Sequence, residues 1–259
     1  MQLVELIVVV LSLGLLRWLE RRYPEQSRNG HSLAAVAAFV AVAGHVLNYL
    51  VMSVALRDWI FLIGPLQFIR ISQWEVPPAI TLLTSVLMLD FFSYVGHRLM
   101  HKIPVLWRLH QLHHADAKVS VFTSILHHPL ETVVAAFWLL TAATLFGVPL
   151  WCIFAYGLSV MVHAAFCHAN IALNPAVSRK LSMLVVTPAY HRVHHSAHQS
   201  DGNSNFGELL TIWDRMFATF IDERRSSQPR FRFGLQGIKG PVVVRDFISA
   251  LAFPLKRVS

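Results

Sequence analysis

Eight histidines in three tight groups are the residues of this chain best placed to do chemistry. His97 and His101 stand four apart, His110, His113 and His114 form an HxxHH triplet, and His191, His194 and His195 repeat that triplet late in the chain. On a helix, positions i, i+3 and i+4 project from one face, so each group aims its imidazoles one way. Crowded imidazoles repel one another when protonated. They need a partner that favours the neutral, lone-pair-donating form, and a metal ion does that. Eight nitrogen ligands exceed what one transition metal ion takes, so the count points to two ions. A single histidine on an apolar face is ordinarily a core residue, and one HxxHH can be a surface cluster. Two triplets and a pair together are poorly explained that way.

The elements that must position these groups can be read around them. Pro104 opens a helix carrying the first triplet. Thr187 and Pro188 read as an N-cap followed by proline at N1 for the second. His97 and His101 lie at and beyond the end of an apolar run from Ala79 to Gly96. That run is about 27 Å long as a helix, close to the thickness of a bilayer's hydrocarbon core.

Apolar runs dominate the chain. Of its 259 residues 55% are hydrophobic and 14% charged, against about 25% charged in an ordinary soluble domain. The expected fold is all-α: a multi-span transmembrane bundle of about four or five spans, with a histidine-rich helical cap on the cytoplasmic side. One domain covers residues 1–259. Residues 3–19 form a first, retained span without the marks of a cleaved signal, and it ends in Arg17, Arg21, Arg22 and Arg28. A second runs from Leu33 to Leu56, where Gly44, His45 and Asn48 mark a protein-facing side. Arg57 to Val76 reads as interfacial or re-entrant. After Pro129, residues 130–168 break near Gly147-Val148-Pro149 into a two-span hairpin. Asn170 to Gly240 is more polar and lies outside the membrane. From Val242 to Val258, Phe247, Leu251, Phe253 and Leu255 alternate with Arg245, Lys256 and Arg257 as an interfacial helix that Pro254 bends or ends.

The formal net charge of +8 comes with no basic stripe interleaved with aromatics, so nucleic acid is not an expected partner. The arginines cap apolar runs, as the positive-inside rule places them. If the Arg17–Arg28 loop is cytoplasmic and Arg57–Val76 does not cross, both triplets meet at the cytoplasmic face. The two cysteines, Cys152 and Cys167, sit in apolar runs and exclude a disulfide framework or a cysteine zinc module.

In order, HRLMH, HQLHH, HHPLE, HAN, TPAYHRVHHS and NFGELLTIWDRMFATF resemble the fatty acid hydroxylase/sterol desaturase superfamily of integral membrane di-iron oxygenases. The resemblance covers roughly Asp90 to Phe220, half the chain. The TP-x-x-HRVHH and WDR-x-F signatures are most similar to its alkylglycerol monooxygenase-like and bacterial sterol desaturase-like branches. It implies metal ligation by His97, His101, His110, His113, His114, His191, His194 and His195, with His168 as a further ligand. His163 is the candidate for a tenth position, although five residues from His168 it is turned about 140° away on a straight helix. A buried histidine bonded within the bundle is an equal reading of it. His128 and Glu131 belong to a motif that shapes the site or caps the next helix. Asp90 is expected to orient a ligand imidazole or to serve a structural hydrogen bond, and Asn170, Asn205 and Asp214 are weaker candidates for such support. His127 and His198 have no counterpart in the pattern and read as ordinary residues or as support behind the ligands. Trp107, Trp138 and Trp213 read as core or interfacial belt.

The implied activity is O2-dependent hydroxylation of an unactivated lipid C–H bond by two iron ions, with zinc able to replace iron during overexpression. Desaturation on the same ligands is the alternative. Electrons would come from an external ferredoxin-like or haem donor with its reductase. A non-catalytic metal-binding protein or transporter is the rival class, but transport places ligands near mid-membrane. A haem bundle would want single histidines facing each other across spans.

Overall fold

Proline and glycine set most of the helix ends. The computed structural model describes residues 2–26, 33–227, 231–235 and 246–255. Among them the chain is helical and forms no strand, only three isolated bridges. The long helices are α1 (Gln2–Arg22), α2 (Ala34–Ile63), α3 (Pro78–Lys102), α5 (Pro129–Leu145) and α6 (Leu150–His168). Of these, α2 with its following turn, α3 and α6 are long and apolar enough to cross a membrane, and α5 is a shorter apolar helix.

Helix α2 departs from the sequence expectation. It runs through Arg57 and Asp58 and stops only at Gly64-Pro65. Adjacent opposite charges do not break a helix, whereas proline's missing N–H and ring do. The remainder of the 57–76 stretch folds onto the α5–α6 turn, where the amides of Phe68, Ile71 and Ser72 donate to the carbonyls of Leu145, Phe146 and Gly147. Gly147 sits at φ +54, and a Cβ there would come within 2.9 Å of the Arg70 Cα. The close approach requires glycine. In α2, Gly44 is buried against Thr132 of α5, but His45 is exposed and bonded only to its own helix.

Helix α3 ends because Ile103 must be extended before Pro104. Its last turns carry His97 and His101. Pro104 then opens α4 (Pro104–His114) at N1. His128 caps α5: its Nδ1 accepts from the Leu130 amide, which leaves Nε2–H to donate to the Leu251 carbonyl. Three short helices build the polar cap: α7 (Pro175–Leu181), α8 (Pro188–His194) and α9 (Gln199–Gly202). Thr187 caps α8 through the Tyr190 amide, with Pro188 at N1, as the sequence predicts. Helix α10 (Ile212–Met216) and α11 (Phe247–Leu251) complete the described chain.

The C-terminal ends of α3, α4 and α6, the start of α5 and all of α8 therefore converge at one end of the bundle. The tail covers that end from the side. Ala250 and Phe253 are buried with Val36, Val40, Leu112 and Ala115, and Gln111 donates to the Phe253 carbonyl. Helix α11 ends before Pro254; Arg28, Arg245, Lys256 and Arg257 lie outside the described residues. Both cysteines are buried and free. At the same end, Glu20 of α1 accepts from the Val121 and Asn170 amides, while Asn170 bonds Gln26 through its side chain. Asn170 thus ties α1 to the end of α6 and contacts no histidine by hydrogen bond, unlike the supporting role expected of it.

Candidate metal centre

Nine histidines meet at this end in two groups. His97, His101, His110, His114 and His194 form one, and His113, His168, His191 and His195 the other; within each group one nitrogen per residue lies within 4.8 Å of all the rest. The triplets are not divided by segment. Helix α4 gives its i, i+4 pair, His110 and His114, to the first group and His113 to the second. Helix α8 does the reverse, giving His191 and His195 to the second and His194 to the first. The two groups adjoin along this exchange, with His114 stacked on His195 at 4.6 Å and beside His194 at 4.6 Å.

The nitrogens that face inward are arranged as ligands. His168 donates Nδ1–H to the Ala164 carbonyl at 2.7 Å, so its Nε2 carries a lone pair. That Nε2 lies 3.1, 3.1 and 3.0 Å from Nε2 of His113, His195 and His191. Metal–imidazole bonds of about 2.0–2.1 Å set neighbouring nitrogens about 2.8–3.4 Å apart for right-angle to tetrahedral geometry. In the first group, Nε2 of His97, His101 and His194 are buried without hydrogen-bond partners. Buried polar atoms are ordinarily satisfied, and convergent orphan lone pairs are what a bound cation satisfies. The nine residues fit metal ions.

An outer layer fixes the rings. His97 Nδ1 donates to the Phe206 carbonyl at 3.0 Å and His194 Nδ1 to the Ser204 carbonyl at 2.8 Å. Glu131 accepts from His110 at 2.7 Å and from His127 at 2.8 Å through the same oxygen. The loop supplying the two carbonyls is itself held by side chains. Asp214 accepts from the Phe206 and Gly207 amides and from Tyr190 and Thr219. Asn205, in the left-handed region at φ +53, bonds Tyr190 and both backbone groups of Ile221. Asp214 thus supports the histidines at one remove.

Asp90 touches no histidine by hydrogen bond. Its carboxylate accepts from the Leu209 and Leu210 amides, the Trp213 indole and the Tyr156 hydroxyl. The structural alternative for this acid holds, because an acid buried in an apolar helix takes whatever donors reach it, and here a loop supplies them. His163 joins neither group; its Nε2 is buried and unpartnered. His198 is exposed. Trp107 packs its ring against His101 at 4.9 Å and His114 at 5.4 Å, and so walls the first group rather than forming a belt.

Two residues carry more than the sequence assigned to them. His127 stacks on His113 at 4.3 Å with rings 13° from parallel, and with His110 and Glu131 it forms a third ligand-like set. The HH doublet was its only signal. Glu208 places Oε1 3.4 Å from His97 Nδ1, and its place in the NFGELLTIWDRMFATF run was its only signal.

Electrostatics favour the neutral form of five of the donors. Burial, then neighbouring histidines, hold His113, His114, His194 and His195 well below the usual imidazole range, and burial followed by His168 does the same for His191. Burial also opposes charge on His127, but Glu131 outweighs it and raises its pKa. Burial pushes Glu208 up to about 7, with Asp90 adding to the effect.

Fold and site define an all-helical protein of membrane-spanning composition, organised around paired histidine clusters able to bind metal. A model of the fatty acid hydroxylase family matches residues 82–219, and the chain belongs to that family. It is 31% identical over 186 residues, 72% of this chain and 53% of the relative, to the ornithine lipid hydroxylase OlsE of Rhizobium tropici. It is 28% identical to alkylglycerol monooxygenase of Xenopus tropicalis over 54% of this chain and 30% of that protein. It is also 28% identical to fatty acid hydroxylase vlmA of Lecanicillium sp, over 61% and 46%. The chain thus spans about half the length of these relatives or less. No solved structure matches.

Proposed function

We propose that this protein is a membrane-embedded di-iron oxygenase that uses O2 to hydroxylate an unactivated C–H bond of a lipid. The convergence of nine histidines, eight of them buried, into two adjoining donor sets carries the reading, and the lipid hydroxylases among its relatives support it. His97, His101, His110, His114 and His194 hold one iron, and His113, His168, His191 and His195 the other. When bound, the iron pair supplies O2 activation and removal of hydrogen from carbon. The chain's own work is to fix the imidazoles through Phe206, Ser204, Ala164 and Glu131, to keep the donors unprotonated, and to exclude water with Trp107 and Phe206. Electrons come from an external ferredoxin-like or haem protein.

Helices α2, α3 and α6 cross the bilayer together with α5, which at about 26 Å is just long enough. The histidine end faces the cytoplasm, with Arg17, Arg21 and Arg22 at the same face. Metal analysis of protein purified from iron-replete, oxygen-limited cells tests the centre. About two irons per chain is the expected content, falling in His113→Ala and His194→Ala. Comparative lipid analysis of cells expressing the protein or His194→Ala then tests the reaction. An oxygenated lipid present only with the intact protein supports it; one zinc per chain and no iron-dependent O2 consumption would sink it.

A further inference from the structure

The polar cap holds a second concave site, apart from the histidines. A cavity of about 210 Å³ opens between the segment after α1, helices α7 and α8 and the turn Glu223–Ser227, lined among others by Glu25, Ser178, Arg179, Arg192, Glu223 and Arg224. Arg192 follows His191 on α8. At about 100° per residue, its side chain leaves the flank of that helix rather than the face carrying the imidazoles. The residue is only 6% exposed, and its Nη1 is buried with no hydrogen-bond partner. A guanidinium carries five N–H donors and stays charged. Burying one without an acceptor is costly.

The acids nearby do not relieve that cost. Glu25 and Glu223 favour its charge from a distance, yet neither forms a hydrogen bond or ion pair with it. Glu223 Oε2 instead accepts from the hydroxyls of Ser178 at 3.3 Å and Thr187 at 3.4 Å. At the rim, Arg224 is clasped by Asp222 through hydrogen bonds of 2.8 and 2.9 Å. The guanidinium of Arg179, also exposed at the rim, forms no hydrogen bond or ion pair among the described residues. A buried arginine on the wall and a free one at the mouth thus share one cavity, and both lack a negatively charged acceptor. Water reaches the mouth but brings no charge. An oxyanion brings both charge and several acceptor oxygens, which suit the fork of a guanidinium. The two glutamates limit how much negative charge the cavity takes, so the fit is to a phosphate that keeps a proton to donate.

We propose that this cavity is an anion site, separate from the metal centre, in which Arg192 and Arg179 bind a phosphate group. The site does not depend on the reaction that the histidines perform. It does touch their support. Arg192 stands on α8 between His191 of one histidine group and His194 of the other, so a bound anion braces the helix on which both groups rely.

The test uses the full metal-loaded protein in a phosphate-free maltoside detergent, titrated calorimetrically with inorganic phosphate. A second arm uses mixed micelles of phosphatidic acid, with uncharged diacylglycerol as the control. Wild type should bind phosphate saturably, where chloride at equal ionic strength does not, and its unfolding midpoint should rise with phosphate. Arg192→Met should raise the half-saturating concentration at least about tenfold, and Arg179→Gln about threefold. Phosphatidic acid that competes with phosphate and binds more tightly identifies a lipid head group as the source; binding of inorganic phosphate alone identifies a free anion. No saturable binding of either by wild type overturns the proposal. So does undiminished affinity in Arg192→Met, which would put the phosphate on the metals instead. If Arg192→Met does not fold, Arg179→Gln decides, and unchanged affinity in that variant overturns the proposal. Saturation by a poly-glutamate peptide but not by phosphate would assign the arginines to an acidic protein partner, and overturns it as well.

Discussion

The two histidine groups are built by different means. In the first, His97, His194 and His110 each donate Nδ1–H to a fixed acceptor: two loop carbonyls and Glu131. In the second only His168 does so, to its own helix. Nδ1 of His113, His191 and His195 is buried without a partner. Those three rings are held by neighbours, with His113 against His127 and His191 against His168, both at 4.3 Å. The first group therefore depends on the outer loop of residues 203–214, and the second on the crossing of α4, α6 and α8. Hydrogen bonds to a ligand's far nitrogen fix tautomer and orientation, so the first group is set before metal arrives, while metal itself orients much of the second.

Removing one ligand from each side breaks the comparison most sharply. His194→Ala should empty the first site and His195→Ala the second, each lowering activity by more than about a hundredfold. Metal content per chain and oxygenated product measure this; loss of both metals in each variant would make the groups one unit. Asp214→Ala is next. It frees the turn that supplies the Phe206 carbonyl, and should weaken metal binding about 10–100-fold at the first site alone, read by competitive chelation. Glu131→Gln keeps the shape but removes the charge facing His110, so about a tenfold loss confined to the first site is expected.

Acid should act on both groups. Folded-state pKa values of His113, His114, His191, His194 and His195 lie below the unfolded value near 6.5. The unfolded chain then binds more protons as pH falls, so stability is full above about pH 6.5 and is lost below it. Melting of the metal-free protein should move down between pH 8 and pH 5.5, and a flat profile would contradict neutral donors. The smallest effect belongs to His163→Ala. It lies in neither group, so metal content and turnover should stay within about twofold, with only a packing cost of roughly 1–2 kcal/mol seen in thermal unfolding.

Much of this site was legible in the sequence, because helical spacing alone forces His110 and His114, or His191 and His195, onto one face. The exchange of His113 and His194 between groups was not, since it arises where α4 and α8 face each other, far apart in the chain. Asp90 shows a second limit. Its burial demanded partners, but they are amides of a loop, and an amide carries no sequence signal. Arg57 and Asp58 mislead in the opposite way, as charges that look like a boundary while Gly64-Pro65 sets the real one. Thr187-Pro188 was readable because a cap is a local device.

The loop at 203–207 orients two ligands with main-chain oxygens, and every residue owns one. Substitution at Ser204 therefore leaves its acceptor in place, whereas Phe206 also packs its ring on His97, His101 and His194, and Asn205 and Asp214, which touch no ligand by hydrogen bond, cannot be exchanged so freely either. A saturation scan of this segment should return tolerance at Ser204 and intolerance at Asn205, Phe206 and Asp214. Anyone seeking to retune the centre at Ser204 would find that contact with a ligand does not by itself make a position adjustable.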